Sequence, residues 1–217
     1  MIIDAAFSRE LALRLLQINA VVLRPRDPFV WSSGWNSPIY CDNRLTLLYP
    51  ELRQKMAAKL AAFIEQTYPD VSVITGTATA GIPHAAWVSD RLNLPMAYVR
   101  SKAKAYGMGN QIEGGVRKGQ ATVVIEDLIS TAGSVSSVIE ALQFVKADVQ
   151  GVCTIFTYNF DVADRKMNEL NVPVYSLTDY NTLIDVALQN NFIKEADVEL
   201  LSDWRKDPDI WPKKPSV

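Results

Sequence analysis

The sequence predicts a single α/β domain built on a mostly parallel central sheet flanked by helices. Continuous apolar runs at residues 71–75, 96–100, 122–126 and 151–158 alternate with stretches of helical periodicity, the rhythm of strand–helix–strand crossovers. The runs do not alternate polar with apolar positions, so each strand is expected to be covered on both faces, as parallel sheets require. The 217 residues suffice for one domain with a substantial core.

The elements follow in order. Phe7, Leu11, Leu15, Ile18 and Val22 recur at helical spacing and predict a helix over 5–22. Residues 24–49 hold three prolines, one glycine and several aromatic residues, which predicts a loop or hairpin region with strand fragments at 29–32 and 39–41. Pro50 suits the first position of a helix, and Leu52, Met56, Leu60 and Phe63 give that helix its stripe. Then come strand 71–75, a small-residue loop over 76–81, helix 82–92, strand 96–100 and a long polar stretch over 101–119. Strand 122–126, loop 127–133 and helix 134–146 follow, the helix turning Val135, Val138, Leu142 and Val145 inward. Strand 151–158, another helix, a short strand at 174–176 and a helical region over 177–204 complete the chain before a charged, proline-containing tail. Within the one domain, 1–49 is read as an N-terminal helix and accessory region, 50–176 as the α/β core and 177–217 as C-terminal helices and tail.

Composition narrows the function. A formal charge of −2 provides no general basic field, so neither nucleic acid nor a membrane surface is an expected partner. Any anion site must be built locally. The two cysteines, Cys41 and Cys153, lie in apolar surroundings without a CxxC partner and are read as reduced, packed thiols of a cytoplasmic protein. One histidine, His84, argues against a histidine-ligated metal; placed early in a helix after Pro83, it is read as a packing or capping residue. No apolar run approaches the length of a membrane span, and the N-terminus lacks signal-peptide features.

The chemistry concentrates in TVVIEDLISTAGS at 122–134. A buried strand delivers Glu126 and Asp127 to its C-terminal edge, where open α/β sheets bind ligands. A turn of small and hydroxyl residues follows, then a helix start, which together offer backbone N–H groups and hydroxyls to a phosphate. Two carboxylates beside a phosphate make sense if the ligand also carries hydroxyls to donate to them, or Mg²⁺. A ribose 5-phosphate meets both conditions. The plainer alternative is a strand running into an ordinary helix N-cap. A Walker loop is excluded, since no Gly-Lys-Ser/Thr occurs, and Gly107-Met-Gly109 is only a fragment of the dinucleotide fingerprint.

At this point the chain resembles a known family. Residues 122–134 look like the phosphoribosyl pyrophosphate (PRPP) signature of type I phosphoribosyltransferases. The likeness extends to orotate phosphoribosyltransferases of the Gram-positive type through FVWSSG (29–34), SPIYCDNRL (37–45), GTATAGIP (76–83), YVRSK (98–102), GNQIEG (109–114) and SLTDY (176–180). The resemblance implies the type I fold with a small N-terminal hood and a long mobile loop. It also implies Mg²⁺ held mainly through PRPP, the small-molecule substrates PRPP and orotate, and a homodimer with a shared active site. Glu126 and Asp127 would hold the ribose hydroxyls, and the PRPP segment would run on through Leu128 and Ile129 to Ser130, Thr131, Ala132, Gly133 and Ser134 around the 5-phosphate. Arg100, Lys104 and Asp127 would act in catalysis, with Arg100, Lys104 and Tyr106 contacting PRPP. Ser130, Ile39 and Tyr40 would lie by the orotate, and Arg44 is the candidate for its carboxylate, the alternative being a structural ion pair.

Between residues 100 and 118 five cations (Arg100, Lys102, Lys104, Arg117, Lys118) face one acid (Glu113), an excess that suits a pyrophosphate leaving group. Several positions depart from relatives. Tyr106 replaces a histidine, Ala132 a glycine, Ser101 and Ala80 the lysines of the enterobacterial type, and the Tyr158–Asn159 region lacks that type's orotate-binding arginine. Two other readings stay open: a purine phosphoribosyltransferase, and a PRPP-sensing regulator without catalysis.

Overall fold

The computed structural model describes residues 1–31, 34–101, 111–209 and 211. Helix α1 (Ala5–Gln17) starts where an Asp4 carboxylate oxygen accepts from the Phe7 N–H at 2.9 Å, an N-cap, and it buries Phe7, Leu11, Leu15 and Leu16. It ends earlier than the periodicity predicted. Asn19 turns left-handed at φ 56°, and Val21–Leu23 form strand β1. The apolar spacing continued through Val22, but its β-branched neighbours are satisfied by a strand partner.

That partner belongs to the accessory region. Beyond β2 (Phe29–Val30) and β3 (Asn36–Ser37), which pair as an antiparallel ribbon, β4 (Ile39–Cys41) pairs antiparallel with β1, Val21 opposite Cys41. A 3₁₀ segment (Asn43–Leu48) capped by Asp42 leads to α2 (Pro50–Thr67), with Pro50 in its first turn as expected.

The central sheet comprises β5 (Val73–Thr77), β6 (Met96–Val99), β7 (Ile112–Glu113), β8 (Ala121–Ile129), β9 (Asp148–Thr157) and β10 (Val174–Asp179), in the order β10-β9-β8-β5-β6-β7. All neighbours are parallel except β7, which lies antiparallel to β6. Helices α3 (Gly81–Leu92), α4 (Gly133–Phe144), α5 (Asp161–Glu169), α6 (Tyr180–Gln189) and α7 (Glu195–Lys206) complete the domain. The core on one face joins α1, α2, α3, α6 and α7 to Ile74, Val123, Ile125, Cys153 and Ile155; the other joins α4 and α5 to Val99, Val124 and Val152. Continuous apolar strands were therefore the right signal for a doubly covered sheet. Residues 1–3 run beside outer strand β10, where Ile3 N–H donates to the Ser176 carbonyl at 3.0 Å and Ser176 N–H to that of Met1 at 2.9 Å.

One strand boundary matters for the site. β8 does not stop at 126 but continues to Ile129, because β9 keeps pairing with it through Ile129–Thr157. On its other side β5 pairs with β8 only as far as Gly76–Ile125. From Glu126 onward, β8 has a neighbour on one side and an open edge on the other. β5 and β8 also form the switch point of the sheet. The crossover from β5 leads outward to β6, and that from β8 leads the opposite way to β9. The turns after the two strands part there and leave a crevice at their C-terminal ends.

Candidate active site

Glu126 and Asp127 sit where β8 loses β5. Glu126 is 4% exposed, and one of its carboxylate oxygens accepts from the Asp127 N–H at 3.0 Å. Asp127 is half-buried, and its carbonyl accepts from Asn43 Nδ2 at 2.7 Å, which ties the 3₁₀ segment to the site strand. Burial, the neighbouring Asp127 charge and a hydrogen bond between the two side chains push the Glu126 carboxyl well above its ordinary range. Burial raises Asp127 too, against lowering by its hydrogen bond to Glu126 and by Arg44. A cation or donated hydroxyls beside so crowded a pair would favour its ionised form.

The turn beyond holds Ser130, Thr131 and Ala132, and α4 begins at Gly133. Ala132 adopts φ 61°, ψ 14°, a left-handed conformation that favours glycine, and its methyl is buried. No side chain caps α4, which leaves its first-turn N–H groups for an anion. Lys166 of α5 braces the turn from behind, its Nζ donating to the Thr131 carbonyl at 3.1 Å.

Two hollows flank this turn. On one side lies a recess of about 220 Å³ bounded by Thr77, Ala78, Arg100, Gly133, Ser134 and Ser137. Arg100 reaches it from the end of β6, held loosely by Glu113 at 3.6 Å. On the other side is a cleft of about 610 Å³ between the hood and β8, walled by Trp31, Trp35, Tyr40, Tyr158, Leu128, Ser130 and Thr131. Its aromatic walls suit a flat heterocycle. The 130–134 turn thus separates a small polar recess from a larger aromatic cleft.

The expected site residues divide accordingly. Ser130 and Thr131 line the cleft with Tyr40, and Gly133 and Ser134 line the recess with Arg100, whereas Glu126 and Asp127 lie on β8 just before the turn and line neither hollow, and the Ala132 methyl is in the core. Leu128 lines the cleft, whereas the Ile129 side chain is buried in the core under α4, so its side chain is not at the site. Ile39 is likewise fully buried, and its carbonyl accepts from Trp31 Nε1 at 3.1 Å. The Arg44 guanidinium is engaged by both Asp42 carboxylate oxygens, at 2.6 and 2.8 Å, the structural ion pair that the sequence left as an alternative. Lys102, Lys104 and Tyr106 lie outside the described residues. Arg117 and Lys118 precede β8 at the opposite end of that nine-residue strand, about 30 Å from the turn. The cationic run therefore does not act as one patch, because closeness in sequence did not carry over to space. Sequence reasoning missed Trp31, Trp35, Thr77 and Asn43; the aromatic enrichment of 29–35 was the available signal.

Of the remaining singled-out residues, His84 and Cys153 are structural and Cys41 lines the cleft. His84 is buried edge-on against Trp87, and burial lowers its pKa to about 4, so it packs as a neutral ring. Cys153 is buried in the core, and Cys41 sits beside Asn43 with its thiol raised by burial and by the charges of Asp127 and Asp42. No helix among the described residues is long and apolar enough to cross a membrane.

Comparison with known proteins agrees with this geometry. A family model described as the phosphoribosyl transferase domain matches residues 49–191. The orotate phosphoribosyltransferase of Bacillus cytotoxicus is 56% identical over 200 residues, covering 92% of this chain and 95% of its own. Among solved structures, UMP synthase from Leishmania donovani superposes with a TM-score of 0.74 at 30% identity, over 91% of this chain and 42% of that longer one. Orotate phosphoribosyltransferase from Aeropyrum pernix gives 0.72 at 28% identity, over 85% of this chain and 99% of its own. A crevice at the sheet's switch point, an acid pair leading into an anion turn, and these relatives along the chain's length have one reading: the chain belongs to the phosphoribosyltransferase family, among its orotate phosphoribosyltransferases.

Proposed function

We propose that the protein transfers ribose 5-phosphate from PRPP to orotate, giving orotidine 5′-phosphate and pyrophosphate in de novo UMP synthesis. The observation that carries this reading is the position of the 130–134 turn between the aromatic cleft and the Arg100 recess. A 5-phosphate on that turn sets the ribose beside Glu126 and Asp127, with room for a base on one side and a pyrophosphate on the other.

The reaction breaks the bond from C1 to the pyrophosphate oxygen and forms one from C1 to N1 of orotate. Positive charge grows on the ribose ring and negative charge on the leaving group. Arg100 meets the latter, a fixed charge worth far more in a confined recess than in water. Lys104 and Tyr106 are assigned to the same group by family likeness. Mg²⁺, held mainly through PRPP, would further neutralise the pyrophosphate, and a cation near the crowded Glu126–Asp127 pair would favour its ionised form. Asp127 and Glu126 orient the ribose hydroxyls. Ser130 and Tyr40 face the base in the cleft, and Arg44 can take the orotate carboxylate by exchanging Asp42 for it. Orotate with N1 deprotonated is already a nucleophile, so the buried, neutral His84 is not needed as a base. The protein is further read as a cytoplasmic homodimer with a shared active site. The test is loss of orotate absorbance with PRPP and Mg²⁺, compared with adenine, hypoxanthine and uracil. Consumption of a purine in place of orotate would overturn the assignment.

A further inference from the structure

The C-terminal helix α7 lies outside the acid pair and turn, yet it grips the aromatic cleft from behind. Trp204 is fully buried, and its Nε1–H donates to the Asn36 carbonyl of β3 at 3.0 Å. Its ring meets Trp31 edge-on at 5.6 Å and Tyr158 at 5.8 Å, and both of those rings wall the cleft. The next residue, Arg205, donates from a terminal guanidinium nitrogen to the Asn159 carbonyl at 2.8 Å. Asn159 follows Tyr158 directly and is left-handed at φ 52°, so this bond fixes the chain where it leaves β9. At the helix start, Asp197 accepts from Arg26 Nε at 2.9 Å, just before the hairpin. These three α7 bonds end on Arg26, Asn36 and Asn159, and none ends on Glu126, Asp127 or the 130–134 turn.

We propose that α7, through Trp204 and Arg205, sets the spacing between the hood hairpin and Tyr158, and so governs affinity for the base separately from affinity for PRPP. Both are positioning residues, acting through the Trp31 and Tyr158 rings. A side chain whose supporting contact is lost relaxes, and an offset of tenths of an ångström in a flat slot weakens stacking on a planar ligand. The turn and acid pair are braced by other groups, Lys166 and Asn43, and Tyr158 N–H stays tied to the Ile129 carbonyl of β8 at 3.0 Å.

This inference rests on the orotate reading, and the experiment separates the two. Trp204→Phe keeps a ring but removes the donor to Asn36; Arg205→Met removes the donor to Asn159, and Arg205→Lys restores one. Trp204→Ala is avoided, because truncating a fully buried tryptophan endangers the fold. Circular dichroism and melting curves establish that each variant is folded. Steady-state kinetics then give the orotate KM, and calorimetry with Mg²⁺ gives the PRPP Kd. Loss of one buried hydrogen bond corresponds to about fivefold. Trp204→Phe and Arg205→Met are therefore expected to raise the orotate KM about five- to tenfold, with PRPP Kd within about twofold of wild type and Arg205→Lys recovering most of the loss. A folded pair of variants with unchanged orotate KM would overturn the inference alone. So would an orotate KM and a PRPP Kd that rise together, since that would mark a general loosening. A wild-type protein that binds PRPP but leaves orotate unconsumed would remove both readings.

Discussion

Gly81 offers the sharpest test of how the site is held. It opens α3 directly above β8, and a Cβ built on it would lie 2.5 Å from the Ile125 carbonyl oxygen, 3.4 Å from the Ile125 carbonyl carbon and 3.5 Å from Glu126 Cα. Ordinary contact begins near 3.4 Å, so Gly81→Ala demands a displacement of about 0.9 Å. β8 cannot yield easily, because Ile125 is paired on both sides, with Gly76 of β5 and Cys153 of β9. Helix α3 must move instead, and Gly76 already has Ala85 Cβ and Ile82 Cα within about 3 Å of its own would-be Cβ, which limits the directions open to it. Overpacking of this kind typically costs about 1–3 kcal/mol. In a chain of this size that lowers Tm by about 2–12 °C. The turn that would move with α3 follows Thr77 of β5 and includes Ala78 of the recess, and a misplacement near 1 Å can cost about 10²-fold in rate. Thermal melting and the KM for PRPP measure the two effects. Gly133→Ala is the control for stability, since its Cβ would meet nothing within 4 Å. A Gly81→Ala protein that melts with wild type and keeps its KM for PRPP would refute the claim that α3 packs backbone to backbone against the acid-bearing strand.

Three further outcomes are expected. His84 has a folded pKa of about 4 against an ordinary 6.5, so the folded state resists taking up a proton there; stability is full above about pH 6.5 and falls by about 3 kcal/mol as pH drops towards 4. Urea midpoints across that range check this, and His84→Gln should flatten the slope. For Glu126 the sign is opposite: its pKa is raised, the folded state holds its proton more tightly, and stability declines as pH rises above the ordinary carboxylate range. Glu126→Gln should therefore melt higher than wild type at neutral pH, lose that advantage in acid and bind PRPP more weakly by calorimetry. Arg100→Ala should lower turnover by about 10²–10³-fold while melting within a few degrees of wild type, because its half-exposed pair with Glu113 contributes about 1 kcal/mol or less; unchanged turnover would take Arg100 out of the mechanism.

The parts of the site that could be read in the sequence are those that are contiguous. Glu126, Asp127 and the 130–134 turn lie on one strand–turn–helix unit, and local order kept them together. What escaped depends on partners distant in the chain. The end of β8 is set by the length of β9, so the acid pair resembles a strand terminus in sequence yet lies inside the strand. The cleft wall assembles Trp31, Tyr40, Leu128 and Tyr158 from three separate segments. Arg44 could be named as a candidate but not placed, because its choice between Asp42 and a ligand depends on reach. Ala132 shows the reverse: a departure flagged in sequence adopts the left-handed backbone all the same, held by the packing of its buried methyl.

Residues 1–3 close the flank of β10 by bonds that span 173 positions of chain or more. An outer strand with unpaired amides is a template for other chains, and contacts this distant form late. A refolding intermediate that has assembled β9 and β10 but not yet recovered its first residues would carry an open, adhesive border. Yield on refolding should accordingly depend on concentration more steeply than the native protein's stability would suggest.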